Sequence, residues 1–239
     1  MLFKRKIYGK FLTWKTEAMG RKALLVEGAR RIGKSTIVEE FAKNEYKRYI
    51  LIHFAKTGDD VKSYFYQHLT DLDTLYMLLS VHYGVKLYER ESVIIFDEVQ
   101  LFPKAREAIK YLVADGRYDF METGSLISIK ENVKDIVIPS EERHIKMYPL
   151  DFEEFCWALE EEPLIQYIRS CFEKKEPLER SIHNKAMLLF KQYMLVGGMP
   201  MSIVAFLENH KDFGAADMEK RDILELYRND IMKIKAQYR

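Results

Sequence analysis

Ala-Leu-Leu-Val-Glu-Gly-Ala-Arg-Arg-Ile-Gly-Lys-Ser-Thr-Ile-Val-Glu-Glu-Phe, residues 23–41, is the stretch that decides the fold of this 239-residue chain. A short apolar run leads into two glycines, Gly28 and Gly33, and a helical pattern follows. Because glycine tolerates the curl of a tight loop, the backbone N–H groups between them can point into one concavity. The positive N-terminal end of the following helix faces the same point. The stretch therefore predicts a strand, a phosphate-binding P-loop and a helix, in that order.

Two polar side chains follow the second glycine of the loop. Lys34 is predicted to reach the β- and γ-phosphate oxygens of a nucleotide, and Ser35 to offer its hydroxyl to Mg²⁺. The alternative interpretation is a glycine-rich turn before an ordinary helix. The strand before the loop and the helix after it disfavour that alternative.

A second polar pair follows the most apolar run of the chain, Val93-Ile94-Ile95-Phe96. Such a run is typical of a strand covered on both faces, and open α/β sheets bind ligands at the carboxyl ends of their strands. Asp97 is predicted to hold Mg²⁺ together with Ser35, and Glu98 to orient or deprotonate the attacking water. A carboxylate directly after the Mg²⁺ aspartate favours an ATPase over a nucleoside kinase. The chain contains no Asn-Lys-x-Asp guanine-binding motif, which disfavours a GTPase.

The next predicted strand ends in Glu122-Thr123-Gly124-Ser125. Either Ser125 or Thr123 is placed to donate a hydrogen bond to the γ-phosphate or to the water, and an ordinary polar turn is the alternative. His53 and the other five histidines form no cluster in the sequence and are interpreted as structural.

Composition limits the class of protein without naming it. The chain is 48% hydrophobic and 31% charged with a formal net charge of +1, which is typical of a globular protein and gives no overall attraction to nucleic acid or anionic membrane. Residues 1–35 carry a net charge of +8, so the remainder carries −7. Two cysteines are too few for a disulfide scaffold, and no apolar run reaches membrane-spanning length. We expect a cytoplasmic protein of a bacterium or archaeon, with no membrane partner.

The pattern of elements predicts two domains. Strands alternate with helices over residues 1–150, which indicates a parallel sheet with flanking helices. Helix 2–18, strands 23–26, 49–54, 93–96, 118–121 and 145–148, two helices ending near Gly84 and a helix from Pro103 to Val113 are expected there. Residues 151–239 have a helical pattern with four interruptions, which predicts a lid-like domain of five helices. Six acidic residues in 151–162 are interpreted as a solvated helix face rather than a metal site.

Together these motifs resemble the bacterial and archaeal AAA-type ATPases in which a P-loop domain is followed by a restriction-endonuclease-like domain. The resemblance rests on residues 28–35 (GARRIGKS), 94–100 (IIFDEVQ), 122–125 (ETGS), 148–155 (YPLDFEEF) and 197–200 (GGMP). It implies an α/β P-loop NTPase fold of the additional-strand class, with strand 118–123 between the P-loop strand and the Asp97 strand. It also implies that Asp97 and Glu98 serve Mg²⁺ and hydrolysis, and that Ser125 senses phosphate. The residues expected to bind ATP are Gly28, Ala29, Arg30, Arg31, Ile32, Gly33, Lys34, Ser35 and Thr36.

Two features depart from that group. Many members carry a Gly-Arg pair shortly before the Tyr-Pro-Leu stretch, whereas this chain has Glu141 there and Arg143 is the nearest arginine. AAA-type sites commonly take an arginine from a neighbouring subunit, and Arg143 is the first candidate, with Arg30 and Arg31 as alternatives within the loop. The chain also ends where members continue into the nuclease-like domain, so we expect a truncated chain that meets nucleic acid only through that domain.

The sequence thus predicts a protein that binds ATP with Mg²⁺, hydrolyses the nucleotide and couples its state to a helical domain that contacts a protein partner or further copies of the chain. Two alternatives stay open. One is a switch that binds ATP without turning it over. The other is an ATPase that acts on DNA with the nuclease-like domain.

Overall fold

The computed structural model describes residues 2–125 and 140–237. The chain divides into two compact units, Lys6–Met147 and Met1–Arg5 together with Tyr148–Arg239.

Strands and helices alternate through the first unit, as the pattern predicts. Its elements within the described ranges are α1 (Ile7–Ala18), β1 (Ala23–Gly28), α2 (Lys34–Glu45), β2 (Arg48–His53), α3 (Asp59–Gln67), α4 (Leu72–Tyr83), β3 (Ser92–Asp97), a 3₁₀ turn (Val99–Leu101), α5 (Pro103–Asp115), β4 (Asp119–Ser125) and β5 (Glu142–Lys146). Gly84 and Gly116, with φ of 63° and 77°, take the left-handed conformation that ends α4 and α5.

The five strands form one parallel sheet in the order β2-β3-β4-β1-β5. Strand β4 lies between β1 and β3, which confirms the additional-strand arrangement. Every residue of β1, β3 and β4 is buried, because these strands are covered on both faces. Their carboxyl ends meet at one edge, where Gly28 is opposite Ser125.

Two predicted boundaries in this unit are wrong. Helix α1 begins at Ile7 rather than residue 2, because Phe3 belongs to the apolar core of the second unit. The last strand spans Glu142–Lys146 rather than 145–148, and Glu142 pairs with Ala23 at the start of β1. Its charged residues carry no apolar strand pattern, so backbone pairing and buried ion pairs define it instead.

The second unit contains helices and no strand among its described residues. The helices are α6 (Phe152–Ala158), α7 (Glu162–Lys174), α8 (Arg180–Val196), α9 (Pro200–Glu208) and α10 (Phe213–Gln237). The prediction of five helices is confirmed, although Gly214 lies inside α10 rather than at a break.

One residue in the acidic start of this unit, Glu154, departs from the predicted solvated face. Asp151 and Glu154 form a capping box at the start of α6, in which the Asp151 side chain accepts from the Glu154 amide at 2.9 Å. Glu154 is 5% exposed, and its Oε1 lies 3.3 Å from Nε of Arg5. At this residue the prediction of a solvated face is wrong.

The YPLDFEEF and GGMP motifs meet in the second unit. The Leu150 amide donates to the Gly198 carbonyl at 2.7 Å, and a Cβ on Gly198 would lie 2.1 Å from the Leu150 carbonyl oxygen. Only glycine fits this contact, which explains the second glycine of the GGMP motif.

We expect Gly198→Ala to destabilise the second unit, because the clash is with backbone and also breaks the Leu150 bond. Overpacking of this kind costs about 1–3 kcal/mol. The expected result is a lower denaturant midpoint, measured by circular dichroism. Gly214→Ala is the control, because its Cβ would meet only the Asp212 carboxylate, at 3.3 Å. Equal denaturant midpoints for the Gly198→Ala and Gly214→Ala proteins would contradict the requirement for glycine at 198.

Within the described ranges no single helix is long and apolar enough to cross a membrane. Helices α8 and α9 pass that test only as a pair bent by 115°.

Candidate functional site

The P-loop lies between β1 and α2, and its backbone is tightly curved. Arg31 and Gly33 both take left-handed conformations, with φ of 63° and 89°. A Cβ on Gly28 would lie 2.5 Å from both the Ile32 Cδ1 atom and the Met147 carbonyl oxygen. The Ile32 side chain is fully buried and forms the base of the loop. Glycine is therefore required at 28 by close approach and at 33 by backbone conformation.

Lys34 is a buried cation in the first turn of α2. Its side chain is 5% exposed, and its Nζ donates to the carbonyl oxygens of Gly28 at 3.1 Å and Ala29 at 2.8 Å. Burial lowers the pKa of its ammonium, while the nearby Glu98 and Asp97 carboxylates oppose that shift. A phosphate within reach of Nζ would stabilise the charge that burial disfavours.

Asp97, the last residue of β3, contacts side chains from β2, β4 and α2 at the carboxyl edge of the sheet. Its Oδ1 accepts from the hydroxyls of Ser35 and Thr123, each at 2.5 Å. Its Oδ2 lies 3.2 Å from Nδ1 of His53, the residue opposite it in β2. The sequence predicted that Ser35 and Asp97 lie together, and they do.

Glu98 follows Asp97 in a left-handed conformation with φ of 56°. Its amide donates to Thr123 Oγ1 at 3.2 Å, and its carboxylate accepts from the side-chain amide of Gln100. Left-handed backbone is uncommon outside glycine, asparagine and aspartate, and it clusters at functional positions.

The remaining predicted residues divide into two groups. Ser125 is buried at the end of β4 and lies opposite Gly28, at the same edge as the loop. Arg143 lies elsewhere, because it pairs with Leu24 near the start of β1 and its Nη1 donates to Glu17 Oε2 at 2.7 Å. Within its own chain Arg143 is therefore not among the groups that meet at the P-loop.

His53 is a residue that the sequence analysis missed. It was interpreted as structural because no other histidine lies near it in sequence, yet the parallel pairing of β2 with β3 brings it to Asp97. The available signal was its place as the last residue of a strand. Thr123 was named only as an alternative to Ser125, and the structure bonds it to Asp97 and to the Glu98 amide.

The donor set fits Mg²⁺ held jointly with nucleotide phosphates. An alcohol and a carboxylate are the hard oxygen ligands that Mg²⁺ prefers, and the ion usually takes only one or two protein ligands beside phosphate and water. In the described part of the chain no group of three or more His, Cys, Asp or Glu residues could hold a metal ion. An ion at Ser35 and Asp97 would therefore depend on ligands from the nucleotide.

A P-loop at the carboxyl edge of a parallel sheet with β4 between β1 and β3 defines a P-loop nucleotide-binding protein of the additional-strand class. Residues 20–156, more than half of the chain, match the AAA domain family, and the chain belongs to that family. No curated protein matches the sequence.

The chain is similar to two solved structures. A Walker-type ATPase of Pyrococcus abyssi is 17% identical over 99% of this chain and 75% of its own, with a TM-score of 0.49. DnaA from Aquifex aeolicus, in a structure bound to AMPPCP, is 13% identical over 98% of this chain and 70% of its own, with a TM-score of 0.50. At these identities the likeness concerns the fold alone.

Proposed function

We propose that this protein binds ATP with Mg²⁺, hydrolyses the nucleotide with an activated water, and transmits the nucleotide state to its helical unit. The observation that carries the proposal is the meeting of Lys34, Ser35, Asp97 and Glu98 at one sheet edge. Ser35 and Asp97 share a hydrogen bond of 2.5 Å there, beside a buried ammonium.

Each of these residues has a distinct task in the proposed reaction. Lys34 binds the β- and γ-phosphate oxygens in place of the Gly28 and Ala29 carbonyls. Ser35 and Asp97 hold Mg²⁺, which supplies charge neutralisation on the phosphates. The oxygen of the water attacks the γ-phosphorus and ADP leaves, while Glu98 accepts a proton from that water. Thr123 orients Asp97 and the Glu98 backbone, and Ser125 donates to the γ-phosphate.

A second candidate function is a nucleotide-gated switch with negligible turnover. It is favoured by the Gln100 bond, which occupies Oε2, one of the two oxygens of the carboxylate that hydrolysis requires. Steady-state phosphate release separates the two functions. Continuous release above a no-protein control supports hydrolysis, whereas tight ATP binding without release supports the switch.

We also propose that Arg143 acts across a contact between two copies of the chain. Its side chain is 42% exposed and its ion-pair partner Glu17 is 56% exposed, so solvent already competes for this bond. The expected result is turnover per subunit that rises with protein concentration and falls at least about tenfold in Arg143→Ala, since arginines supplied in trans contribute about 10³ or more. Phosphate release across a concentration series measures this.

Lys10→Ala is the control for Arg143, because Lys10 is an exposed cation on α1, the helix that carries Glu17. Turnover that is independent of concentration and survives Arg143→Ala would show that each subunit acts alone.

A further inference from the structure

Five charged or titratable side chains lie together between β4, β1, β5 and α5, and none of them belongs to the site described above. We call them the charge cluster: Glu27, Arg106, Glu122, Glu142 and His144. Arg106, Glu122 and Glu142 are almost completely buried, and the Glu27 side chain is 11% exposed. Burial of ionic groups lowers the folding stability unless the groups are paired.

A continuous chain of contacts runs through the charge cluster. Arg106 on α5 holds Glu142 with two parallel bonds, Nε to Oε1 at 3.0 Å and Nη2 to Oε2 at 2.7 Å. His144 then bridges two carboxylates, with Nε2 3.1 Å from Glu142 Oε2 and Nδ1 3.2 Å from Glu27 Oε1. Helix α5 is thus joined through β5 to β1.

Protonation of His144 is favoured, because its imidazole lies between two carboxylates. Its two carboxylate partners raise the pKa of the imidazole to about 9. Burial, and then the neighbouring Glu142 carboxylate, raise the pKa of Glu122 well above its usual range. In the chain of contacts itself, two cations, Arg106 and His144, face two anions, Glu27 and Glu142. When His144 loses its proton, two carboxylates face one cation.

The last residue of this chain of contacts borders the P-loop. Glu27 directly precedes Gly28, and its carbonyl accepts from the Met147 amide at 2.7 Å. The Met147 carbonyl lies so close to Gly28 that no Cβ fits between them. The position of β5 beside β1 therefore sets one wall of the loop. Strand β5 is an edge strand that pairs only with β1 in the described sheet, so backbone bonds hold it on one side alone.

We propose that Arg106, Glu142, His144 and Glu27 form a positioning relay that holds β5 against β1 and keeps the Met147 carbonyl in place beside the P-loop. Loss of the imidazolium charge loosens this wall and weakens nucleotide binding. The relay rests on the nucleotide binding proposed above, but its effect on Met147 is present without nucleotide.

The test is His144→Gln, which keeps one hydrogen bond and removes the bridging charge. In nucleotide-free protein, we expect the Met147 amide to exchange its hydrogen at least about tenfold faster, because opening of this edge becomes easier. At pH 7 we expect the affinity for a non-hydrolysable ATP analogue to fall about fivefold or more, the lower range of coupling between linked sites. Hydrogen exchange and calorimetry measure the two effects.

The pH dependence has a definite sign. The wild-type advantage in affinity is full well below pH 9, where His144 of the folded protein is protonated, and is lost as the pH rises through about 9. Lys34 loses its own proton at alkaline pH in both proteins, so the ratio of the two affinities isolates the relay. Glu27, Glu142 and Glu122 face His144 from β1, β5 and β4. Arg106 on α5 is bonded to Glu142 and faces Glu27, and Lys146 also faces Glu27.

His82→Gln is the matched control. The His82 side chain, on α4, is 36% exposed, against 37% for His144, and it faces one carboxylate, that of Asp60 on α3. It should leave both readouts unchanged. Glu27→Gln keeps side-chain shape and removes the other end of the relay, so it should reproduce both changes.

Two results would overturn the relay. One is unchanged Met147 exchange in folded His144→Gln and Glu27→Gln proteins, and the other is faster exchange with wild-type affinity at pH 7. A wild-type protein that binds no nucleotide would instead overturn the proposed function, and Met147 exchange would still decide whether the relay holds β5.

Discussion

Lys34→Ala is expected to reduce ATP affinity at least about a hundredfold, below what calorimetry detects at ordinary protein concentration. A charge-assisted hydrogen bond contributes about 1.5–3 kcal/mol, and Lys34 is positioned to make more than one to the phosphates. Backbone N–H groups of the loop offset only part of the phosphate charge. The fold should persist. The substitution removes the bonds from Nζ to two carbonyl oxygens of the loop, but alanine favours the helix that begins there.

Lys43→Ala is the matched control for this experiment. Lys43 lies on the same helix, is 49% exposed and pairs with Glu39 one turn away. Its loss should leave affinity unchanged, because surface ion pairs of this kind contribute little. Wild-type affinity in a folded Lys34→Ala protein would remove the P-loop from the proposed function.

Glu98→Gln is expected to lower the rate of ATP hydrolysis by about 10²–10⁴ and to retain nucleotide binding. The amide keeps the shape of the carboxylate and loses its ability to accept the proton of water. Its contact with Gln100 can persist, because an amide oxygen also accepts a hydrogen bond. Phosphate release and calorimetry on the same preparation separate turnover from affinity.

Glu91→Gln is the corresponding control, because Glu91 precedes β3 at its opposite end and its side chain is 57% exposed. The control should hydrolyse ATP at the wild-type rate. Equal rates for Glu98→Gln and wild type would assign the water to another group and leave Glu98 a structural residue of the turn.

The Gln100 contact affects how both experiments are interpreted. With the Gln100 amide bound to it, the Glu98 carboxylate is engaged before any water is activated. In the proposed reaction, a water that gives its proton to Oε2 must displace Gln100 from that oxygen, whereas nucleotide binding through Lys34 requires no such exchange. Tight binding with slow turnover in the wild-type protein would be consistent with that requirement.

The sequence by itself determined the parts of the protein that depend on local pattern. Alternating apolar strands and helices predicted the parallel sheet, and the run Val93–Phe96 identified its buried centre. Glycines and prolines indicated most helix ends, since each acts through backbone conformation nearby in sequence. The P-loop residues and their proximity to Asp97 followed because strands of a parallel sheet end at one edge.

Only the tertiary structure decided the features that arise between distant segments. His53 meets Asp97 through strand pairing, and the Gly198 requirement comes from Leu150, far away in the chain. Strand β5 was misplaced because charged residues stabilise it through partners on α5 and β1, which no local pattern reveals. Side-chain periodicity reports which face of an element is buried, but the partner of each buried group is set by packing.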